Sequence, residues 1–465
     1  MNDRNDFEPF SEEGQAAPGG TGRNTPAKKG NANRVLIALA AVLVAAAVFV
    51  AGYFTYYLTM DGGLRSLLWV KKVVQDEYYQ EVSDDEFWQA AIDGVTQNVL
   101  DQYSAYYTAE EYDAVLDSNQ GIRSGIGASF FANTNKLYRV ALNSPLFYAA
   151  EGSVEEGMYL TGVGGSESSL VLTDTFAKVS EELSRFGTGQ QVVLRFSRTA
   201  ANDTENCAVV TLTPGAYVES YVLYAAKGRA YAYLRTGANY EWTDVSAYVS
   251  ADERTPEGVA YLRYAQFEGN SGYEFARALQ QYREDGMTKL LFDLRNNGGG
   301  ALSVMGQFAS YLCKDAAPGA TVLEARYRDG HKELFTIASS LYGEYFSGSE
   351  IYAAANGNTA SASEALLGAM ISYGTLGFEN IFVTDNDGDG AASTYGKGIM
   401  QTYFYNNDTG EAISLTTAQI YWPNGHTIHG TGITTQDGAQ AVYSPSAAEY
   451  GDAELAEIFD RITAA

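Results

Sequence analysis

Cysteine and histidine are scarce in this chain of 465 residues. The only cysteines are Cys207 and Cys313, which excludes a scaffold held together by several disulfides. Only three histidines occur, His331, His426 and His429, and no CxxC or histidine-rich spacing is present. We therefore expect no structural zinc site and no other metal site.

Basic residues are also few, with 30 Lys and Arg against 57 Asp and Glu, which gives a net charge of -27. Residues 1–60 contain equal numbers of acidic and basic side chains, so the excess of negative charge belongs to the rest of the chain. Such a surface disfavours nucleic acid and anionic lipid headgroups as partners. Phosphate-binding loops of the G-x-G-x-x-G or Walker type are missing too, and we expect no cofactor.

One long run, Val35–Met60, contains no charged residue and is long enough to cross a bilayer as a helix. Lys28, Lys29 and Arg34 precede this run, which predicts a cytoplasmic N-terminus and an extracytoplasmic remainder at the cell membrane. Residues 1–34 lack apolar periodicity and are predicted to be disordered. A cleaved signal peptide is the alternative. The length of the run and the absence of a small-x-small site favour an uncleaved single-pass anchor.

Residues 61–117 are predicted to be a helical region. Apolar residues recur at helical spacing in Leu64–Tyr79 and again after Ser83, where Glu86 completes a capping box. The segment that begins at Leu100, L-D-Q-Y-S-A-Y-Y-T, is interpreted as a turn-rich exit. This region could pack on the body of the protein or mediate a homodimer.

The order of elements in residues 118–200 resembles a PDZ domain of the bacterial, permuted type. A glycine loop, S-G-I-G-A, leads into a strand, and Phe176 to Phe186 has the spacing of a helix. A PDZ domain adds a peptide C-terminus as a strand and holds the terminal carboxylate with backbone N–H groups, for which Ile126, Gly127 and Ala128 are the candidates. A small β-rich domain whose glycines only form turns is the open alternative.

Residues 201–465 are predicted to form the core. Two apolar strands, Lys289–Arg295 and Ile351–Ala355, are each followed by a glycine- or asparagine-rich loop and a helix. Successive units of this kind bring both helix starts to one edge of a parallel sheet. Ser361 falls at the second strand-turn-helix junction, where free N–H groups of the helix start are suited to stabilise an oxyanion. The alternative is that Ser361 and Glu364 only form a capping box.

The glycines of the first loop have two possible uses. Gly299 or Gly300 can bring a backbone N–H close to Ser361 because no Cβ intervenes, and together with the N–H of Ala362 this would form an oxyanion hole. Close packing of backbone on backbone would explain the same glycines without catalysis.

Five motifs in order resemble the carboxyl-terminal processing proteases, the tail-specific serine peptidases of family S41: V-A-Y-L-R-Y-A-Q-F, D-L-R-N-N-G-G-G, T-A-S-A-S-E, Y-G-K-G-I-M-Q and W-P-N-G-H-T-I. The resemblance runs from about Leu64 to Gly432. It implies an α/β (α+β multidomain) protein with a crotonase-like protease core, an inserted PDZ domain, the helical lead-in and one transmembrane helix. It also implies that Ser361 is the nucleophile, Lys397 the general base and Gln401 its support.

A lysine can act as a base near neutral pH only if its pKa is lowered well below about 10.4, which burial can achieve. No acidic residue lies next to Lys397 in the sequence, and Gln401 would position the amine without adding a charge. A Ser-His-Asp triad is the competing mechanism. The three histidines are interpreted as structural.

The sequence departs from the family pattern in two places near the site. Gly298 stands where proline is common, and Asp385–Gly390 lengthens the connection between Ser361 and Lys397. D-x-D-x-D-G matches the first half of a calcium loop, but Gly396 occupies the position of the bidentate Glu, which favours an acidic surface turn. The function hypothesis is a membrane-anchored serine endopeptidase that acts on protein C-terminal tails. The alternative is an inactive or partner-activated peptide-binding protein that retains the protease fold.

Overall fold

The computed structural model describes residues 31–187, 189–200, 206–236, 239–249, 255–444 and 453–464. Most of the predicted disordered tail, residues 1–30, lies outside these ranges. The helices are α1 Asn31–Thr59, α2 Gly62–Glu77, α3 Asp84–Asn98, α4 Ala109–Asn119, α5 Pro145–Ala150, α6 Phe176–Leu183, α7 Ser271–Glu284, α8 Leu302–Leu312, α9 Tyr342–Phe346, α10 Ala362–Ser372 and α11 Ala453–Ala464. Short 3₁₀ helices lie at Glu167–Ser169, Phe378–Asn380 and Thr435–Asp437.

The strands alternate with these helices along most of the chain. They are β1 Ala105–Tyr107, β2 Ile122–Gly125, β3 Ala128–Phe130, β4 Leu137–Val140, β5 Tyr159–Gly164, β6 Val171–Leu172, β7 Val192–Ser197, β8 Cys207–Leu212, β9 Gly215–Val218, β10 Val222–Ala226, β11 Arg229–Thr236, β12 Asn239–Asp244, β13 Val259–Tyr264, β14 Lys289–Asp293, β15 Thr321–Tyr327, β16 Lys332–Thr336, β17 Glu350–Ala355, β18 Ile381–Asp385, β19 Ile399–Tyr405, β20 Ala412–Tyr421 and β21 Gln440–Tyr443. The result is a mixed α/β fold.

The chain divides into two units, Met1–Ala91 and Ile92–Ala465. In the first unit, an 18-residue window within Arg34–Thr59 of α1 has a mean hydropathy of 2.9 and no buried residue, so this helix is long and apolar enough to cross a membrane. The two predicted amphipathic helices are present as α2 and α3. Ser83 and Glu86 exchange the two hydrogen bonds of the predicted capping box at the start of α3.

An eight-stranded sheet forms the centre of the second unit, in the order β12-β11-β10-β13-β14-β17-β18-β21. Five strands of this sheet, β13, β14, β17, β18 and β21, are parallel to their neighbours in this group. The strands β10 to β12, which precede them in a tyrosine-rich part of the chain, are antiparallel. Leu290 and Phe292 of β14 pack in one hydrophobic cluster with α7, α8 and α10, whereas Leu291 packs in another with α11. Both faces of the sheet are therefore covered, which explains the continuous apolar run of β14.

A second sheet has the order β1-β20-β15-β16, with β19 also paired to β20. Its strand β1 lies in the segment predicted to be a turn-rich exit. Residues 102–103 do form a turn, but the prediction missed the strand at Ala105–Tyr107. Ala105, Tyr106 and Tyr107 pair with Ser414, Ile413 and Ala412 of β20. A strand of three residues is too short to show an alternating pattern, and its partner lies in a distant part of the sequence. Local periodicity therefore could not predict it.

Residues 122–218, here called the glycine-loop module, contain three small sheets, β2-β9, β3-β4 and β6-β5-β7-β8. A separate hydrophobic cluster fills this module and includes Leu146 of α5 and Val179 of α6. The cluster also includes Val210 and Leu212 of β8. The packing of the module thus extends beyond residue 200, the predicted limit, because β8 continues the sheet through β7.

Candidate active site

The loops that follow β14 and β17 are joined side by side, because these strands are parallel neighbours. The N–H of Asn296 donates to Oδ1 of Asn356 at 3.0 Å, and Nδ2 of Asn356 donates back to Oδ1 of Asn296 at 3.0 Å. The hydroxyl of Thr359 donates to the carbonyl of Leu294 at 2.8 Å. The predicted meeting of the two loops at one edge of the sheet is confirmed.

Ser361 is the N-cap residue of α10 and has φ 57° and ψ -116°. A positive φ is uncommon for a residue with a side chain and costs of order 1–3 kcal/mol, so the surrounding structure must impose it. Gly299 lies directly against it: a Cβ at that position would be 2.8 Å from Cβ of Ser361 and 2.9 Å from the backbone nitrogen of Ala362. The glycine is needed here for close approach.

The three candidate oxyanion donors differ in availability. The N–H of Gly299 donates to Oδ1 of Asn297 at 2.9 Å. The N–H of Gly300 has no partner among the residues that the structure describes. Ala362 is the first residue of α10, where an N–H has no acceptor within its own helix. Gly300 and Ala362 are thus the donors left free for a ligand.

Glu364 joins the two candidate catalytic residues through their backbones. This side chain is fully buried, and its Oε2 accepts the N–H of Ser361 at 3.0 Å and the N–H of Lys397 at 2.9 Å. Its Oε1 accepts the hydroxyl of Thr394 at 2.5 Å and the N–H of Gly396 at 2.8 Å. Burial raises the pKa of Glu364, whereas these four hydrogen bonds oppose that shift.

Lys397 is half-buried, and burial lowers the pKa of its amine. Two carboxylates act in the opposite direction, those of Asp101 and Glu364, although neither is near the lysine in the sequence. Within the described part of the chain, Nζ has no hydrogen bond or ion pair, and none joins it to Oγ of Ser361. The aromatic ring of Tyr103 lies 5.0 Å from Nζ.

Gln401 lies on β19, where its Nε2 donates to the hydroxyl of Thr416 on β20 at 3.0 Å. The amide is therefore held by a neighbouring strand rather than by the lysine amine. Sequence reasoning also missed Glu364 as a link between the two loops and Tyr103 as a neighbour of the lysine. The S-x-x-E pattern signalled the first only as a helix cap, and no local pattern signalled the second.

The three histidines make local contacts. The ring of His331 lies 5.4 Å from that of Tyr327, and the ring of His426 lies 4.9 Å from that of Trp422. His429 lines a cavity beside Gly396. No hydrogen bond joins any of them to Ser361 in the described residues.

The acidic insertion brings together carboxylate oxygens of Asp385, Asp387 and Asp389 within 4.8 Å of one another. Both oxygens of Asp385 accept backbone N–H groups of its own loop, from Gly388 and Gly390 at 2.8 Å each. The loop closes on itself, and the backbone of Lys397 is held by Glu364 instead.

The glycine-loop module contains a cavity of about 550 Å³ that is lined by Ile126, Gly127 and Ala128. The N–H groups of Ile126 and Gly127 have no partner in the described residues. Phe176 and Leu183 of α6 also line this cavity. Its walls therefore offer two free donors beside an apolar surface.

Residues 258–437 match the profile of peptidase family S41, and this range includes the loops that carry Ser361 and Lys397. This part of the chain, here called the S41 domain, is similar to peptidase family S41. The S41 domain begins just before β13 and ends just before β21. The shared range covers the parallel strands that position both loops.

Relatives extend the similarity beyond the S41 domain. A "Probable CtpA-like serine protease" of Staphylococcus epidermidis is 26% identical over 372 residues, which are 80% of this chain and 64% of the relative. The "Carboxyl-terminal-processing protease" of Synechocystis is 34% identical over 184 residues, 39% of this chain and 38% of that protein. The chain thus spans less than two thirds of the length of these relatives.

Two solved structures have a weaker similarity to this chain. A "Putative S41 protease from Bacteroides fragilis" has a TM-score of 0.47 at 13% identity and covers 85% of this chain and 97% of that one. The "Photosystem II D1 C-terminal processing protease" has a TM-score of 0.43 at 18% identity and covers 78% of this chain and 84% of that one.

Proposed function

We propose that this protein is a membrane-anchored serine endopeptidase with a Ser361/Lys397 dyad and a crotonase-like core. The proposal rests above all on Glu364, because one of its oxygens accepts the N–H groups of both Ser361 and Lys397. The two backbone nitrogens therefore lie no farther apart than the sum of these two hydrogen bonds. A buried carboxylate that joins two loops in this way is unnecessary if Ser361 only caps a helix.

In the proposed reaction, Oγ of Ser361 attacks the carbonyl carbon of the scissile peptide while Nζ of Lys397 accepts the hydroxyl proton. The oxyanion accepts hydrogen bonds from the N–H groups of Gly300 and Ala362. Lys397 then gives the proton to the leaving amine, and water hydrolyses the acyl-enzyme. Burial lowers the pKa of Lys397, which favours the neutral amine that this role requires.

We further propose that substrates are proteins recognised by their C-terminal tails. The glycine-loop module would act as a PDZ domain, with the free N–H groups of Ile126 and Gly127, together with Ala128, around the terminal carboxylate. The apolar side chains of Phe176 and Leu183 favour an apolar last residue. Helix α1 would anchor the protein in the cell membrane with the S41 domain outside the cytoplasm.

A second candidate is a peptide-binding protein that is inactive until a tail or partner binds. The specific observation in its favour is that no hydrogen bond joins Oγ of Ser361 to Nζ of Lys397. Catalytic hydrogen bonds are often long in ligand-free enzymes and tighten when substrate binds. The two candidates therefore differ in whether turnover can be elicited.

The test uses the full chain in detergent micelles, with casein as substrate, in the presence and absence of a peptide with a free apolar C-terminus. We expect cleavage that Ser361→Ala and Lys397→Ala abolish and that Ser372→Ala, at the far end of α10, leaves intact. Cleavage that persists in Ser361→Ala contradicts the dyad. Tail-peptide binding without cleavage under any of these conditions supports the second candidate.

A further inference from the structure

Residues 101–107, here called the strap, lie between α3 and α4 and are bound to the S41 domain. The strap is fixed internally by Asp101, whose Oδ1 accepts the N–H groups of Tyr103 and Ser104 at 3.1 and 2.9 Å. The hydroxyl of Ser104 accepts the N–H of Thr416 on β20 at 3.1 Å. From Ala105 onward the strap pairs with β20 as strand β1. Tyr103 is thus held from both sides.

Tyr103 contacts the lysine and the loop that carries it. Its ring centroid lies 5.0 Å from Nζ of Lys397, within the range of about 6 Å in which an aromatic ring interacts with an amine. Its hydroxyl lies 3.3 Å from the hydroxyl of Tyr395, two residues before the lysine. Gln401 is bonded to the hydroxyl of Thr416, the same residue whose N–H the strap binds.

A cavity of about 560 Å³ lies next to this contact. Its lining includes Tyr103 and Tyr395, together with Gly396 and Ile399 from either side of the lysine. Tyr103 therefore faces the cavity and also contacts the amine. The lysine would meet more water if this ring were absent.

We propose that Tyr103 is a positioning residue that covers the Lys397 amine, so that the strap, a segment outside the S41 match, completes the candidate active site. This inference rests on the proposed function, in which Lys397 is the base. The ring acts in two ways of opposite sign: its bulk excludes water, which disfavours the ammonium form, whereas its π face attracts the ammonium form. Burial lowers the pKa of this lysine, and in this proposal the exclusion of water by the ring outweighs the attraction of its π face.

Other charged and titratable groups face the same amine. The carboxylates of Asp101, on the strap, and Glu364, on α10, favour the ammonium form. Tyr103, Tyr395 and His429 line the adjoining cavity, and the hydroxyls of the two tyrosines lie 3.3 Å apart. Tyr103→Ala removes the hydroxyl of Tyr103 together with the ring, whereas Tyr103→Phe removes the hydroxyl alone. Comparison of the two variants therefore isolates the effect of the ring.

The test measures the pKa of Lys397 directly, in the full chain carrying Ser361→Ala and held in detergent micelles. The rate of acetylation of this lysine by acetic anhydride is followed by mass spectrometry as a function of pH. We expect Tyr103→Ala to raise the pKa of Lys397 by about one unit, because water reaches the amine. Tyr103→Phe keeps the ring and should leave that pKa unchanged.

Tyr103→Leu provides the variant that keeps apolar volume if the alanine variant unfolds. It should keep the pKa of Lys397 at or below its value in the parent, since only the attraction to the π face is lost. Tyr405→Ala, an exposed tyrosine on β19, is the matched control and should change nothing. An unchanged pKa in Tyr103→Ala, or equal shifts in the alanine and phenylalanine variants, overturns the proposal.

The result also separates this inference from the proposed function. In the chain that retains Ser361, the acidic limb of the kcat/KM profile against pH should move with the pKa of Lys397. If acetylation shows the shift and the profile does not, Tyr103 covers the lysine but Lys397 is not the base. The positioning role would then hold while the proposed dyad fails.

Discussion

At the scale of single residues, Gly298 and Gly299 are adjacent in sequence but have different steric surroundings. A Cβ on Gly298 would meet no atom within 4 Å, whereas one on Gly299 would lie 2.8 Å from Cβ of Ser361. Gly299 also has φ 103°, which residues with a side chain rarely adopt. A substitution of Gly299 can therefore be tested against the same substitution of Gly298 as its control.

We predict that Gly299→Ala lowers kcat by about 100-fold or more, because a displacement of Ser361 by a fraction of an ångström misaligns the attack. Gly298→Ala should keep nearly full activity. Both variants are assayed for casein cleavage, with thermal melting as a check on folding. Equal activities of the two variants would show that close approach at Gly299 is unimportant for the reaction.

The carboxylate of Glu364 accepts three N–H groups and one hydroxyl. In Glu364→Gln, one of its two oxygens becomes an NH₂ group, which cannot accept these hydrogen bonds. We predict that the free energy of unfolding falls by about 2–4 kcal/mol and that kcat drops by at least about tenfold. Denaturant unfolding and casein cleavage measure the two effects. Glu350→Gln, whose side chain is 58% exposed, is the control. Full activity of Glu364→Gln would remove the main support for the dyad.

The pH dependence follows from the direction of the Lys397 shift. In the proposed dyad, the lysine must be neutral to accept the proton of Ser361. Burial lowers its pKa, so the neutral amine forms at a lower pH than for an exposed lysine. We predict that kcat/KM rises with pH and levels off below the ordinary lysine pKa of about 10.4. A profile that still rises in proportion to hydroxide at that pH would mean that Lys397 is not the base.

At the scale of secondary-structure elements, helix α6 and strand β3 form the apolar side of the cavity in the glycine-loop module. Phe176 begins α6, is 46% exposed, and lies with its ring 6.0 Å from that of Phe130 on β3. Leu172 belongs to the same module and is 55% exposed, but it lies on β6. The two positions allow one apolar side chain of the cavity to be compared with one elsewhere.

We predict that Phe176→Asp weakens binding of a peptide with a free, apolar C-terminus at least tenfold, because a carboxylate then faces an apolar side chain and a terminal carboxylate. Leu172→Asp should bind as the parent does. Fluorescence anisotropy with a labelled peptide measures both, and a peptide with an amidated C-terminus tests the need for the carboxylate. Equal binding of the amidated peptide would contradict recognition of the tail.

The elements differ in how far the sequence predicts them. The strands β14 and β17 and the helices after them were predictable, because each has its own apolar pattern and turn residues. Strand β1 was not, since three residues carry no period and their partner, β20, comes much later. The same cause hid Tyr103, which meets Lys397 only because β1 pairs with β20. The extension of the module to Leu212 likewise depends on pairing between β7 and β8.

At the scale of the whole molecule, the excess of negative charge and the apolar helix α1 lie in different parts of the chain. Residues 1–60 carry balanced charges, and the net charge of -27 lies in the remainder. Helix α1 provides the stretch that is long enough to cross a membrane. The acidic part is therefore not expected to hold the protein on an anionic membrane by itself.

We predict that the full chain stays in the membrane pellet after carbonate extraction, and that deletion of residues 1–60 moves it to the supernatant. Residues after α1 should be accessible to an added protease in spheroplasts, since the basic residues before α1 favour a cytoplasmic N-terminus. Immunoblotting of the fractions measures both. A shorter, soluble form of the full chain would identify α1 as a cleaved signal sequence.

The pairing of β1 with β20 has a consequence for the order of synthesis. The strap is made before the glycine-loop module, whereas Ser361, Lys397 and β20 are made long after it. A chain that is still emerging has Tyr103 but lacks Ser361, and β1 can pair only after β20 has been made. A copy truncated before β20 lacks the strand to which β1 pairs, so its strap is not fixed there even though Ser361 and Lys397 are both present.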